Sequence, residues 1–208
     1  RYRWDGVWGW LQNWRVHTEP VFYRDERATA VDWAALRRRQ EQDERERAER
    51  AAAAARQAAE ALKTAVPGPH PYLAAKGLPK ASALVLPDGA LFVPMRDVRD
   101  NALLGAQVIR LVDNEWEKKM AWGMRAKGAV LKLGRGPRTI LCEGYATGLS
   151  VRAAVELLRL PVAVLVCFSA GNMVHVASQI GGPRYVAADN DASGTGERCA
   201  RETGLPWC

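Results

Sequence analysis

The sequence predicts an α/β protein: a parallel sheet flanked by helices, preceded by a small β-rich subdomain, a long charged helix and a Trp-rich β segment at the amino terminus. Three observations carry that expectation. From residue 137 onward, short apolar runs alternate with stretches of helical spacing, the pattern of parallel strands joined by crossover helices. Residues 31–66 consist almost wholly of strong helix formers and stop at "PGPHP". An apolar share of 48% in 208 residues is enough to bury a core, which excludes a disordered chain.

Residues 1–31 hold "YRWDGVWGWLQNW" and "EPVFYRDE", which read as two or three strands joined by Gly and Asn/Asp turns. Four of the eight tryptophans (Trp4, Trp8, Trp10 and Trp14) lie in this region, and a fifth, Trp33, follows directly. They suit either stacking on bases or a small apolar core. The opening at Arg1 reads as mid-domain sequence, so a longer parent chain is expected. Residues 32–66 follow as one helix, with Asp32 placed as its N-cap. Glu41 with Arg45, and Glu46 with Arg50, have the i,i+4 spacing of pairs that stabilise a solvated helix. Arg37, Arg38 and Arg39 in a row invite phosphate contacts instead, although acids are interleaved throughout the segment.

Residues 70–136 read as a β-rich basic unit. "ALFVPM" and "LLGAQVIRLV" are strands flanking the turn "RDVRDNA", and "GAVLKLG" is another. Between them "DNEWEKKMAWGMRAKG" concentrates Lys118, Lys119, Arg125 and Lys127 around Trp116 and Trp122. Such interleaving suits a single strand or a nucleoside triphosphate, and equally a solvated loop. Residues 137–208 then alternate: strands "RTILCE", "VAVLVCF" and "RYVAAD", with helices "TGLSVRAAVELLRL", "NMVHVASQI" and "GTGERCARETG".

Composition narrows the function. A net charge of +7 favours an anionic partner such as nucleic acid or nucleotides. No apolar run approaches the roughly 18 residues that span a bilayer, and the first residues lack a signal-peptide layout, so no membrane partner and a cytoplasmic location are expected. The four cysteines, Cys142, Cys167, Cys199 and Cys208, show no CxxC pairing, against a zinc site or a disulfide framework.

Ligands of open parallel sheets gather at the carboxyl ends of the strands. Glu143-Gly144, Ser169 to Asn172, and Asp189-Asn190-Asp191 are the residues placed there. Asp189 and Asp191 share a side if the chain stays extended, and Glu143 on a neighbouring strand brings a third carboxylate. Three close carboxylates repel unless protonated or gathered round a cation, and hard oxygen donors suit Mg²⁺ or Mn²⁺. Gly144, Gly194 and Gly196 allow close approach of a phosphate near a helix amino terminus. An Asx-turn capping a helix at Asp191 or Ser193 is the alternative. Ser169 and His175 do not make a hydrolase, since no GxSxG elbow is present.

A strand ending in Glu-Gly, then helix, strand, helix and a strand ending in Asp-x-Asp, resembles the Toprim domain of bacterial-type primases, type IA and II topoisomerases and some nucleases. "CEGYATG" resembles the Glu-Gly-Tyr-Ala-Thr motif of primases from conjugative plasmids and phage satellites. "LFVPMRDVRDNALLGAQVI" is similar to the strand-turn-strand that opens the catalytic core of bacterial replicative primases. The resemblance covers residues 70–207. It implies a Toprim-type sheet in residues 137–208 and a DNA primase core, a nucleotidyltransferase of the DNA-directed RNA polymerase type. It further implies metal ligands at Glu143, Asp189 and Asp191, which are also the catalytic residues. Nucleotide and template binding would fall to Gln107, Arg110, Lys118, Lys119 and Lys127. Implied partners are a single-stranded DNA template, nucleoside triphosphates and a replicative helicase, in trans or in flanking sequence. Binding would weaken steeply with salt. Two departures stand out: Ala146-Thr147 replaces the acid that replicative primases carry after Glu-Gly-Tyr, and Asn190 replaces a glycine. No zinc ribbon or P-loop occurs in these 208 residues. A Toprim nuclease, and a noncatalytic nucleic-acid or partner-binding module, are the alternatives; a topoisomerase would need a nucleophilic tyrosine from another domain.

Overall fold

The computed structural model describes residues 2–4, 8–13, 16, 19–24, 33–189 and 194–208. Contacts divide the chain into two units, residues 1–49 and 50–208. Trp14, Asp32, Asn190, Asp191 and Ser193, on which several expectations fell, lie outside the described residues.

The first unit contains a three-stranded antiparallel sheet, β1 (Tyr2–Trp4), β2 (Trp8–Leu11) and β3 (Val21–Arg24), in that order. Its aromatics pair across strands, Trp4 with Tyr23 at 5.6 Å between ring centroids and Trp8 with Phe22 at 5.8 Å. Gly9 sits between the first two, in register with both Trp4 and Tyr23. A Cβ there would meet the Trp4 ring at 2.6 Å, so the missing side chain makes room for the cross-strand pair. The rings are therefore committed to each other, although Trp4 and Trp8 keep solvent-exposed surface.

Helix α1 (Trp33–Thr64) begins in the first unit and ends in the second. Its first half is exposed, with Gln42 Nε2 donating to Glu46 Oε1 at 3.1 Å along the helix surface. The alanine-rich second half lies on the sheet: Ala58 packs with Phe92 and Ala106, and small side chains allow the close approach.

A nine-stranded sheet dominates the second unit. Its strands are β4 (Val66–Gly68), β5 (Ala83–Val85), β6 (Leu91–Asp97), β7 (Leu103–Val112), β8 (Glu115–Met120), β9 (Ala129–Leu133), β10 (Arg138–Cys142), β11 (Val162–Val166) and β12 (Arg184–Ala187). The short helix α2 (Pro71–Ala75) lies between β4 and β5. The strands run in the order β12-β10-β11-β9-β6-β5-β4, with β7 and β8 branching from β6. β9 is the join, antiparallel to β11 on one side and to β6 on the other. Pro94 costs β6 a ladder donor, and the β6–β7 register shifts one residue later, at Met95/Arg96. Residues 115–120, read from sequence as part of a loop or binding segment, instead form β8: each has a partner on β7, from Glu115 with Val112 to Met120 with Gln107.

As the alternation predicted, β10, β11 and β12 are parallel, with β10 in the middle. Helix α3 (Tyr145–Leu157) covers one face, where Leu149 and Val151 join the core of Leu91, Met95 and Val166. Helices α4 (Ala170–Gln179) and α5 (Thr195–Glu202) cover the other, where Met173, Val176 and Ala200 pack on Leu141, Leu165 and Val186. Gly148 permits the α3 contact: a Cβ there would stand 2.4 Å from Val166 Cγ2. Because the chain leaves β10 towards β11 and later returns to β12 on its other side, the β10–β12 boundary is a topological switch point, where a crevice opens at the carboxyl edge.

Candidate functional site

Glu143 and Gly144 leave β10 at this crevice, and Asp189 lies two residues past the end of β12. Both acids are half-buried. The Glu143 carbonyl accepts the Phe168 N–H at 2.8 Å, which fixes the turn where β10 meets β11. Phe168 itself is buried with φ of 65°, a left-handed conformation that costs a non-glycine residue roughly 1–2 kcal/mol. That turn redirects the chain so that Ser169 caps α4, its Oγ accepting the Asn172 N–H at 3.2 Å.

Gly144 caps α3 with extended backbone and no side chain. A Cβ there would lie 3.8 Å from Asp189 Oδ2, so the peptide after Glu143 stands beside the Asp189 carboxylate. Thr147, in the first turn of α3, donates from Oγ1 to Asp189 Oδ1 at 3.1 Å and fixes that carboxylate. The sequence placed Thr147 in the Glu-Gly-Tyr-Ala-Thr motif and as a departure from the replicative-primase pattern, without a role of its own. Its partner lies 42 residues away, and no local signal carries that contact.

The glycines of the following loop differ in role. Gly194 adopts φ of 62°, where side chains are strained, and precedes α5. Gly196 is buried against the backbone of Asp189: an added Cβ would stand 2.4 Å from the Asp189 carbonyl oxygen and 3.0 Å from its nitrogen. This close approach positions α5 directly under the candidate ligand. Gly196→Ala is expected to destabilise the protein by about 1–3 kcal/mol through overpacking. Gly194→Ala, strained but spatially open, should cost roughly 1 kcal/mol. Thermal melts of the two variants check the order.

Among the described residues, no group of three or more His, Cys, Asp or Glu side chains is placed to hold a metal ion. The described donors are thus the carboxylates of Glu143 and Asp189. Their negative field is felt by neighbouring thiols. Burial and then Asp189 push the Cys142 thiol up to about 12, and burial, Cys142 and Glu143 push Cys167 well above its ordinary value. Both cysteines therefore stay protonated at neutral pH, leaving a carboxylate donor set that fits a hard divalent cation. Tyr145, buried on α3, is likewise pushed up to about 12 by burial and by Tyr72, which opposes a nucleophilic phenolate there.

The expected nucleotide- and template-binding residues are not gathered in one place. Register with β6 orders them along the sheet, because its end at Asp97 lies opposite Ala129 and hence on the carboxylate edge. Lys118, in register through Ile109 with Leu91, sits at the opposite end, and Lys119 is one residue along. Lys118 Nζ stands 5.6 Å over the Tyr72 ring, and Lys119 pairs with Glu117 at 2.5 Å. Arg110 is also at that end and donates to Asp88 at 2.7 Å. Gln107 is buried in mid-sheet opposite Val93. Lys127 alone of the five lies by the carboxylate edge, next to Gly128, whose carbonyl accepts the Val98 N–H. The two tryptophans of the segment separate as well. Trp116 packs on His70 and Tyr72, whereas Trp122 is 80% exposed with the Arg50 guanidinium 5.8 Å from its ring.

The family model that matches this chain describes a Toprim domain and covers residues 138–204, that is, β10 through α5. A Toprim domain is therefore present, and its matched span contains Glu143, Asp189 and the strand order that sets the ends of β10 and β12 side by side. Toprim domains occur in enzymes such as primases and nucleases and bind divalent metals such as Mg²⁺, which points to a nucleic-acid-related function. Comparison with curated proteins and with solved structures gave no match. Among the described residues, no helix is long and apolar enough to cross a membrane.

Proposed function

We propose that this chain carries the catalytic core of a DNA primase of the phage-satellite or conjugative-plasmid type, making oligonucleotide primers on single-stranded DNA from nucleoside triphosphates. The observation that carries the reading is the Asp189 carboxylate, held by Thr147 against the Glu143-Gly144 turn at the switch point of a Toprim domain. A second support is the sheet itself. β9 joins the Toprim strands to the β6–β8 strands, so the segment bearing Arg125 and Lys127 ends at the same edge as the acids.

Glu143 and Asp189, with Asp191 expected from the motif, would hold a divalent ion, Mg²⁺ or Mn²⁺. Such an ion, when bound, offsets charge on phosphate oxygens and on an attacking hydroxyl. Thr147 keeps the Asp189 carboxylate in one orientation, so little reorganisation is needed when a cation arrives. Gly144 leaves the space beside that carboxylate free of a side chain, which admits a phosphate to the turn. Basic residues of the β8–β9 connection supply positive charge for template and nucleotide, with a replicative helicase as the expected protein partner and the cytoplasm as the expected location.

The test is a primer-synthesis assay on single-stranded DNA with ribonucleotides, run with Mg²⁺, with Mn²⁺ and with chelator. Wild type is expected to make primers only with metal, and Glu143→Gln to lose roughly 100-fold or more of that activity. Cleavage of DNA with metal in the absence of nucleotides would point to the nuclease reading. Undiminished synthesis by Glu143→Gln would remove Glu143 from the site.

A further inference from the structure

Beside the carboxylate edge, the end of β6, the start of β9 and helix α4 enclose a cavity of about 150 Å³ lined by Asp97, Arg99, Arg125, Lys127, His175 and Gln179, with Val98 and Gly128. Its chemistry is uneven: three cationic side chains face one carboxylate. That carboxylate is the organising element. The Asp97 side chain is only 2% exposed, and its two oxygens are saturated from neighbouring donors. Oδ1 accepts the Arg99 N–H at 2.8 Å and Arg99 Nε at 3.3 Å. Oδ2 accepts Arg99 Nη2 at 3.1 Å and also Arg125 Nη2, which approaches from the opposite strand connection.

One buried carboxylate thus holds two guanidiniums without neutralising both. Each guanidinium carries five N–H donors, so most remain for a ligand. The fixed fork geometry of paired arginines suits the oxygens of a phosphate. Lys127 adds a third cation to the lining. His175 lies on the facing helix, its Nε2 3.8 Å from where a Cβ on Gly128 would sit. Asp100, exposed beside Arg99, is a further acid that acts on this arginine. A volume of about 150 Å³ is below the roughly 300–1,000 Å³ of pockets for whole small molecules, so it takes a phosphate group and not an entire nucleotide.

We propose that this cavity is a phosphate-binding subsite in which Asp97 is a positioning residue for Arg99 and Arg125, and that its ligand is a phosphate of a nucleotide or of a nucleic-acid strand. The nucleic-acid origin of the phosphate rests on the primase reading. Phosphate affinity itself does not, since the carboxylates of Glu143 and Asp189 take no part in it.

The experiment therefore uses the full chain in chelator, free of divalent ions, and titrates inorganic tripolyphosphate by calorimetry and a labelled single-stranded oligonucleotide by fluorescence anisotropy. Arg125→Lys keeps the charge and loses the fork. It is expected to weaken binding about tenfold, whereas Arg135→Ala, past the far end of β9 at Leu133, leaves it unchanged. Asp97→Asn gives the sharper contrast. Removing a negative charge would tighten anion binding to a merely basic surface, but a pocket that depends on two ordered guanidiniums should bind less well. Loss confined to tripolyphosphate assigns the pocket to a nucleotide's phosphates; loss confined to the oligonucleotide assigns it to the strand backbone. Unchanged affinity in Arg125→Lys, or tighter binding in a folded Asp97→Asn protein, overturns the proposal. Wild type that makes no primers with Mg²⁺ or Mn²⁺ yet shows this binding in chelator would count against the primase reading and not against the pocket.

Discussion

Asp189→Asn is expected to weaken Mn²⁺ binding by more than about 100-fold, and Thr147→Val by about 10–100-fold, with Thr147→Ser restoring most of the loss. The ranking follows from geometry. Asp189 presents its carboxylate beside the Gly144 peptide, and Thr147 acts only through its Oγ1 bond to Asp189 Oδ1 at 3.1 Å. Valine preserves the volume and β-branching of threonine but cannot donate, so the carboxylate loses its orientation without a change in packing. Serine keeps the donor. Titration followed by the Mn²⁺ electron paramagnetic resonance signal measures affinity directly, independent of any turnover. Equal affinities in wild type and Asp189→Asn would exclude Asp189 as a ligand. A Thr147→Val protein indistinguishable from wild type would make that bond incidental.

The largest loss of stability is expected from Asn172→Ala. Asn172, on the first turn of α4, receives the Gly128 N–H on Oδ1 at 2.8 Å, and its Nδ2 donates to the carbonyls of Ala129 and Cys167, each at 2.8 Å. One amide thereby ties the start of β9 to the end of β11, on the edge that carries the candidate site. Alanine would leave three backbone groups without these partners, two of them on fully buried residues, Ala129 and Cys167. At roughly 1–3 kcal/mol for each unsatisfied buried group, partly relieved by relaxation, the cost is about 3 kcal/mol. For a chain of this size that lowers the melting temperature by about 6–12 °C. Asn172→Asp should be no better despite its shape, since a carboxylate oxygen would face the two carbonyls that now receive N–H donors. Ser169→Ala, which removes only a helix cap, should cost about 1 kcal/mol. Calorimetric melts of the three variants give the order.

Much of the carboxyl-terminal half was legible because each signal there is local. The run "VAVLV" is apolar and buried throughout, as a central strand must be; "RTILC" buries its last two residues, and "RYVA", the edge strand, buries only Val186. Period-two and period-3.6 patterns need only a few neighbouring residues to show themselves. The same holds for α1, whose composition alone dictates a helix. Strand β8 was not legible, because "EWEKKM" is polar and exposed along most of its length. Its conformation comes from the ladder with β7, a tertiary hydrogen-bond pattern with no apolar face to announce it.

The candidate site divides in the same way. By itself the sequence determined that acids end two apolar strands, at Glu143 and Asp189, and that glycines flank them. Covalent order and hydrophobic period are enough for that. Only the tertiary structure decided that β10 lies between β11 and β12, which brings Gly144 to Asp189, and that Thr147 reaches across to hold it. It also decided that Gly196 is tied to the Asp189 backbone by close packing, and that Arg125, not Lys118 or Lys119, joins Lys127 at the carboxylate edge. Strand order and register depend on contacts between residues tens of positions apart, and pairwise energies of that kind leave no mark on local composition.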